Sequence, residues 1–111
     1  MEKLGFSQCE VDQAVFLRRA GKKLIIVLVH VDDCTIIANA QPLITQFKIE
    51  IAKHVDITNL GDLHWILGIE ILCICEECRI LLSQCSYIDS TLWRYGLEDL
   101  KPISIPMDPN T

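Results

Sequence analysis

The sequence lacks a long hydrophobic segment and has fewer basic than acidic residues. Its longest wholly apolar run, residues 24–29, is far too short to cross a bilayer. Ten lysine and arginine residues against 15 acidic residues give a formal net charge of -5. This balance argues against an independent nucleic-acid-binding domain, although the basic surface of a longer protein can lie elsewhere. The first residues also lack the layout of a signal peptide, so we expect a reducing, intracellular setting.

Apolar residues are nevertheless abundant, and two acids interrupt the most apolar part of the chain. Hydrophobic residues make up 50% of the 111 positions, which predicts one domain, or part of one, with a buried core. Asp32 and Asp33 separate two runs rich in β-branched residues, 23–31 and 34–38, without a glycine or proline between them. This order predicts a strand, a very tight turn and a second strand, with both carboxylates at the tip.

Adjacent carboxylates at such a tip have two interpretations. Their charges repel each other, so a folded chain tolerates them best where water or a cation reaches both. A solvated hairpin turn is the ordinary outcome. Oxygen ligands held close together are also what a hard cation such as Mg²⁺ prefers, which makes the pair half of a metal site. The local pattern leaves both interpretations open.

The remaining pattern predicts an α+β fold in which an antiparallel sheet has helices on one face. Strands are predicted at residues 12–19, 23–29, 34–38, 65–72 and 79–83. Apolar residues recur every four positions from Leu43 to Val55 and predict a helix over residues 42–54. Asn39 is the expected N-cap of that helix, and a final helix is expected to end before Gly96. The sheet face without helices is then free to meet a ligand.

Two further expectations concern the core and the tail. Phe16, Phe47 and Trp65 are expected to be core aromatics rather than base-stacking platforms. The tail contains three prolines within residues 102–109, which predicts an extended linker leaving the domain.

Six cysteines offer a different kind of site. In an intracellular protein they are expected to be reduced thiols. Cys73, Cys75, Cys78 and Cys85 are close in sequence, so a small zinc-binding module is an alternative hypothesis. Their spacing departs from the separated Cys-x2-Cys pairs of zinc ribbons, and unpaired thiols are therefore the favoured interpretation.

Four separated strings, taken in order, resemble the reverse transcriptase domain of copia-type retrotransposon polyproteins. Val29-His30-Val31-Asp32-Asp33 is similar to that family's Tyr-Val-Asp-Asp box. The strings NLGDLHWILGIEI at 59–71, LSQCSYI at 82–88 and KPISIP at 101–106 resemble the family's DLGELKYFLGIEI, LSQKKYI and KPVSTP. Together with the run that leads into the acidic box, the resemblance covers nearly the whole chain.

The resemblance implies an incomplete polymerase palm with a palm-type antiparallel sheet. In the parent protein, an RNA-directed DNA polymerase, it implies two-metal nucleotidyl transfer. Asp32 and Asp33 are implied to be the catalytic residues and the Mg²⁺ ligands, with Asp32 the more direct ligand. His30 and Val31 are implied to contact the primer. The family has an aromatic residue where this chain has His30.

The same resemblance implies how the chain relates to a longer protein. Residues 1–100 correspond to a partial palm and residues 101–111 to the linker. The third catalytic aspartate and the fingers are expected before residue 1, and the thumb and ribonuclease H domain after the linker. Expected partners are an RNA/DNA template-primer, a dNTP and the remaining polyprotein domains, with no membrane, in the cytoplasm or a virus-like particle. We expect the isolated chain to be inactive, and a non-enzymatic decayed remnant or interaction domain is the alternative.

Overall fold

The computed structural model describes residues 1–107 and Asn110 and contains two compact units, Met1–Gly61 and Asp62–Thr111. Among the described residues, each unit has one antiparallel sheet and one α-helix, which confirms the α+β class. Two sheets replace the single predicted sheet, so that part of the prediction is wrong. The physical reason is local pairing, because each sheet is built from strands that are consecutive along the chain.

The first unit is a four-stranded sheet covered by one helix. Its strands are β1 (Ser7–Gln8), β2 (Val15–Ala20), β3 (Lys23–His30) and β4 (Asp33–Ala38), and its helix is α1 (Gln41–Ala52). The strands lie in sequence order and pair antiparallel. Strand β1 was not predicted, and β2 begins three residues later than expected. The later start follows from a turn in which the Asp12 carboxylate accepts a hydrogen bond from the amide of Ala14 (2.9 Å).

The core of this unit lies between α1 and one face of the sheet. Its buried members are Phe6, Ile25, Val27 and Phe47. Phe6 and Phe47 meet edge to face with ring centroids 5.3 Å apart, a favourable arrangement of two ring quadrupoles. Phe16 packs against the same cluster. The prediction of core positions is therefore confirmed for both Phe16 and Phe47.

Helix α1 differs from its prediction at both ends. It begins at Gln41 with Ala40 as the N-cap, and it ends at Ala52 rather than at residue 54. Asn39 is therefore not the cap. Its side-chain amide instead donates to the carbonyl of Lys22 and accepts from the amide of Leu24, which ties the start of β3 to the end of β4. The side-chain oxygen of Asn39, the atom that would cap α1, accepts from Leu24 instead.

The second unit contains a three-stranded sheet followed by a helix. Its strands are β5 (Trp65–Ile66), β6 (Ile69–Ile74) and β7 (Arg79–Ser83), and its helix is α2 (Cys85–Arg94). The expected strand 65–72 is in fact a hairpin, because Leu67 (φ 53) and Gly68 (φ 75) both have positive φ. Positive φ at both loop residues is the pattern of a type I′ turn.

Trp65 is not a core residue, since half of it is exposed (51%). The final helix is confirmed, and Gly96 follows it with a left-handed φ of 65. Lys101 to Met107 contain no helix or strand. The linker prediction also includes Asp108, Pro109 and Thr111, and these three lie outside the described residues. No helix in the described part of the chain is long and apolar enough to span a membrane.

Candidate active site

The predicted acidic hairpin tip is present between β3 and β4. The last paired residues of the hairpin are His30 and Asp33, so the connecting loop consists of Val31 and Asp32 alone. Val31 has a φ of 52, a conformation that is costly for a β-branched side chain. Positive φ at the first loop residue alone is the pattern of a type II′ turn, whose twist matches that of the strands. Strand pairing therefore holds Val31 in a strained position next to both acids.

Strand alternation separates the acidic tip from the core. Ile25 and Val27 on β3 belong to the buried cluster beneath α1. Because successive side chains alternate between the two faces, His30 lies on the face away from α1. Asp33 is its cross-strand partner and shares that face. The tip thus presents a carboxylate, an imidazole and the turn acid Asp32 on the surface that the helix leaves uncovered.

Both carboxylates are available to a ligand. Asp32 and Asp33 are exposed, and neither side chain accepts a hydrogen bond or forms an ion pair within residues 1–107. Unsatisfied carboxylate oxygens at a convex tip suit a hard divalent cation, and Mg²⁺ is commonly held by one or two carboxylates plus waters and substrate phosphates. No three acidic, histidine or cysteine side chains among the described residues form a group that could hold a metal. The two acids fit part of a magnesium site, and the described residues supply no third ligand.

Cys34 follows the acidic pair but is not a candidate nucleophile. Partial burial raises the pKa of its thiol, because the thiolate loses solvation. It therefore stays protonated at neutral pH, and a thiol is a weaker nucleophile than a thiolate.

Arg18, Arg19, Lys22 and Lys23 form a basic cluster at the β2–β3 turn, remote from the acids. Ala20 pairs with Lys23 at the far end of β3, and the path from Lys23 to Asp32 along an extended strand is about 30 Å. Arg18 is also engaged in packing, since its Nη1 lies 2.8 Å from a Glu50 carboxylate oxygen. The described structure therefore does not bring these cations to the candidate site.

The cysteines do not assemble a zinc site in the described residues. Cys73 and Cys75 are in sulfur contact at 3.3 Å, whereas Cys78 and Cys85 do not join them in a group of three metal-binding side chains. The zinc-module hypothesis therefore has no support from the described geometry.

Comparison with known proteins identifies the family. A model of the family described as reverse transcriptase (RNA-dependent DNA polymerase) matches residues 1–109. This chain belongs to the reverse transcriptase family. The predicted resemblance is thereby confirmed, and it places the Asp32-Asp33 tip inside a reverse transcriptase domain.

Three of the curated relatives are transposon polyproteins. The chain is 33% identical over 97 residues to the retrovirus-related Pol polyprotein from transposon TNT 1-94 of Nicotiana tabacum, covering 86% of this chain. It is 30% identical over 107 residues to the corresponding polyprotein from transposon RE1 of Arabidopsis thaliana, covering 96% of this chain. In each case it spans 7% of the relative's length. No solved structure matches the chain.

Proposed function

We propose that this chain is the part of a copia-type reverse transcriptase palm that carries two of its catalytic carboxylates. The observation that supports the proposal is the two-residue β3–β4 turn, which exposes Asp32 and Asp33 without a protein partner among the described residues. The family match over residues 1–109 supplies the chemical context. Residues 1–100 form the partial palm in this proposal, and residues 101–111 form the linker that follows it.

The proposed roles are those that the family resemblance implies, and the positions of the residues in the turn are compatible with them. Asp32 lies in the loop and is the more direct ligand, while Asp33, held by its pairing with His30, is the ligand beside it. Bound Mg²⁺ ions neutralise phosphate charge and lower the pKa of a coordinated hydroxyl. His30 shares the face of Asp33, and Val31 is 83% exposed. Both therefore lie where the end of a primer could contact them.

The activity belongs to the longer protein in this proposal. Two carboxylates make a weak two-metal site, because the number of charged ligands sets cation affinity. The chain spans only 7% of the transposon polyproteins that it matches. We therefore assign the third carboxylate, and the binding sites for template-primer and dNTP, to other segments of such a polyprotein. The proposed setting is the cytoplasm or a virus-like particle, and the isolated chain is expected to be inactive.

A chimera tests this proposal directly. Residues 1–107 replace the matching segment of an active reverse transcriptase of the family, and primer extension is measured with Mg²⁺. We expect extension by the chimera, loss of at least about a hundredfold with Asp32→Asn, and none by the isolated chain. Asp56→Asn, an exposed acid in the same unit, is the matched control and should leave the rate unchanged. Equal activity of the Asp32→Asn and Asp56→Asn chimeras would refute the catalytic role.

One observation favours the alternative of a decayed, non-enzymatic copy. His30 stands where the family's box has a tyrosine, and the imidazole ring is smaller than the phenol ring. If decay explains this difference, His30→Tyr should raise the extension rate of the chimera severalfold. An unchanged or lower rate would show that histidine is compatible with primer contact.

A further inference from the structure

The second unit brings two thiols into contact at the end of its central strand. The Sγ atoms of Cys73 and Cys75 are 3.3 Å apart, and both residues are exposed. Cys73 belongs to β6 and is paired with Ile80 on β7. Cys75 is the first residue of the 3-10 turn Cys75–Glu77 that joins the two strands. This sulfur pair plays no part in the carboxylate chemistry proposed above.

The fold keeps Cys75 close to Cys73 through the structure of the connecting turn. The turn ends at Cys78, whose φ is 50 and whose amide donates to the carbonyl of Cys75 (3.2 Å). Glu77 and Arg79 form an ion pair of 2.6 Å across the exit of the turn. The hydrogen-bonded ladder between β6 and β7 ends at the pair Ile74–Arg79, and Cys75 is the next residue beyond it. Cys75 can therefore shift toward Cys73 without loss of a ladder hydrogen bond.

We propose that Cys73 and Cys75 form a redox-active dithiol, which a small disulfide of the glutathione type converts reversibly into an intramolecular disulfide. A disulfide needs the two sulfur atoms at about 2.05 Å. The contact of 3.3 Å therefore requires a movement of little more than 1 Å, which the turn residue Cys75 can make. Solvent exposure of both thiols lets the small disulfide approach.

The positions of the two thiols set the order of the two exchange steps. Cys75 lies in the turn, outside the β6–β7 ladder, and is assigned the first attack: its thiolate attacks one sulfur of the glutathione disulfide, forms a mixed disulfide and releases one glutathione thiolate. The hydrogen bond with Cys75 raises the pKa of the Cys73 thiol, in agreement with Cys73 reacting second. Cys73 then loses its proton, attacks the Cys75 sulfur and displaces the second glutathione thiolate. Two protein thiols are oxidised, one glutathione disulfide is reduced, and the two protons end on the two glutathione molecules.

Equilibration of the full chain in glutathione buffers of graded ratio tests the proposal. After an acid quench, free thiols are alkylated and the products are mapped by mass spectrometry. We expect a single Cys73–Cys75 disulfide, with four of the six cysteines still alkylated at intermediate ratios. Cys73→Ser and Cys75→Ser should each stop at a glutathione adduct of the remaining thiol of the pair. Cys78→Ser is the matched control from the same turn and should form the disulfide normally.

A second measurement separates two contributions to the stability of the Cys73–Cys75 disulfide, that of the fold and that of closeness in sequence. The same equilibration is repeated in concentrated urea, where the turn is lost. We expect the equilibrium constant for the Cys73–Cys75 disulfide to be about tenfold larger in the folded chain. Equal constants, a disulfide that includes Cys78 or Cys85, or crosslinks between chains in preference to the internal bond would each overturn the proposal.

Discussion

The guanidinium of Arg18 on β2 and the carboxylate of Glu50 on α1 are joined by a 2.8 Å ion pair between residues 32 positions apart. The same Arg18 Nη1 also donates to the carbonyl of Leu4 (2.9 Å). The guanidinium lies over the Phe6 ring, 4.7 Å from its centroid, where the ring quadrupole attracts a cation. One side chain therefore connects the N-terminal segment, the sheet and the helix of the first unit.

Arg18→Met is expected to destabilise the first unit by about 2 kcal/mol, because it removes two hydrogen bonds and leaves the Glu50 carboxylate without its cationic partner. Methionine retains most of the apolar stem, so lost packing contributes little. Urea unfolding followed through the NMR signals of the unit measures the change. Arg19→Met is the matched control, since Arg19 is an exposed neighbour on the same strand. Equal effects of the two substitutions would contradict the role assigned to Arg18.

The same contact predicts how stability depends on pH. The hydrogen bond from Arg18 holds the pKa of Glu50 below its ordinary value of 4.5. A carboxyl whose pKa is lower when folded contributes its full stabilisation above the unfolded pKa. That stabilisation is lost as the pH falls through the lower, folded value.

Glu50→Gln should therefore reduce stability near neutral pH and remove part of the loss on acidification. Urea midpoints measured from about pH 7 down to about pH 3 give the comparison. Parallel curves for Glu50→Gln and the unmodified chain over that range would show that Glu50 does not contribute.

Phe47→Ala should unfold the first unit. Phe47 is completely buried (0% exposed), and such a truncation costs about 3–5 kcal/mol. A core of this size supplies about the same stability in total. Ile49→Ala on the same helix is the control, because Ile49 is 59% exposed and should change stability by less than about 0.5 kcal/mol. NMR signal dispersion distinguishes the two outcomes, and a dispersed spectrum for Phe47→Ala would contradict the prediction.

Val31→Gly should stabilise the β3–β4 hairpin by about 1 kcal/mol. Glycine adopts a φ of 52 without the steric cost that valine has, although it also gains freedom in the unfolded chain. Val31→Ala is the matched control, because it shortens the side chain but keeps the Cβ that causes the strain. Urea unfolding should rank glycine above both alanine and valine. If alanine stabilises as much as glycine, backbone strain is not the cause.

The acidic tip should bind a divalent cation weakly even without the rest of a polymerase. Two carboxylates predict a dissociation constant on the order of millimolar. Paramagnetic Mn²⁺ used as a probe should broaden the NMR signals of Asp32 and Asp33 first. The effect should disappear in the variant with Asp32→Asn and Asp33→Asn and persist with Asp56→Asn. Stronger broadening at Glu76 and Glu77 would place the preferred cation site elsewhere.

Local chemistry explains which elements could be predicted. Runs of β-branched residues on both sides of Asp32-Asp33 predicted the β3–β4 hairpin, because strand preference and turn position are encoded by near neighbours. The prediction of one strand over residues 65–72 was wrong, because the apolar run continues through the turn and leucine is uncommon at positive φ. Asn39 was assigned to a cap by residue type, whereas its amide is satisfied by Lys22 and Leu24 across the sheet.

By itself, the sequence determined the family, the α+β class and the presence of two carboxylates at a hairpin tip, because motif order and strand pattern are linear properties. Only the tertiary structure decided that the strands form two sheets and that Arg18 meets Glu50. It also decided that Val31 takes a positive φ and that the thiols of Cys73 and Cys75 touch. The register of neighbouring strands sets the two sheets, the turn at Val31 and the position of Cys75 beyond its strand, whereas packing between distant segments brings Arg18 to Glu50.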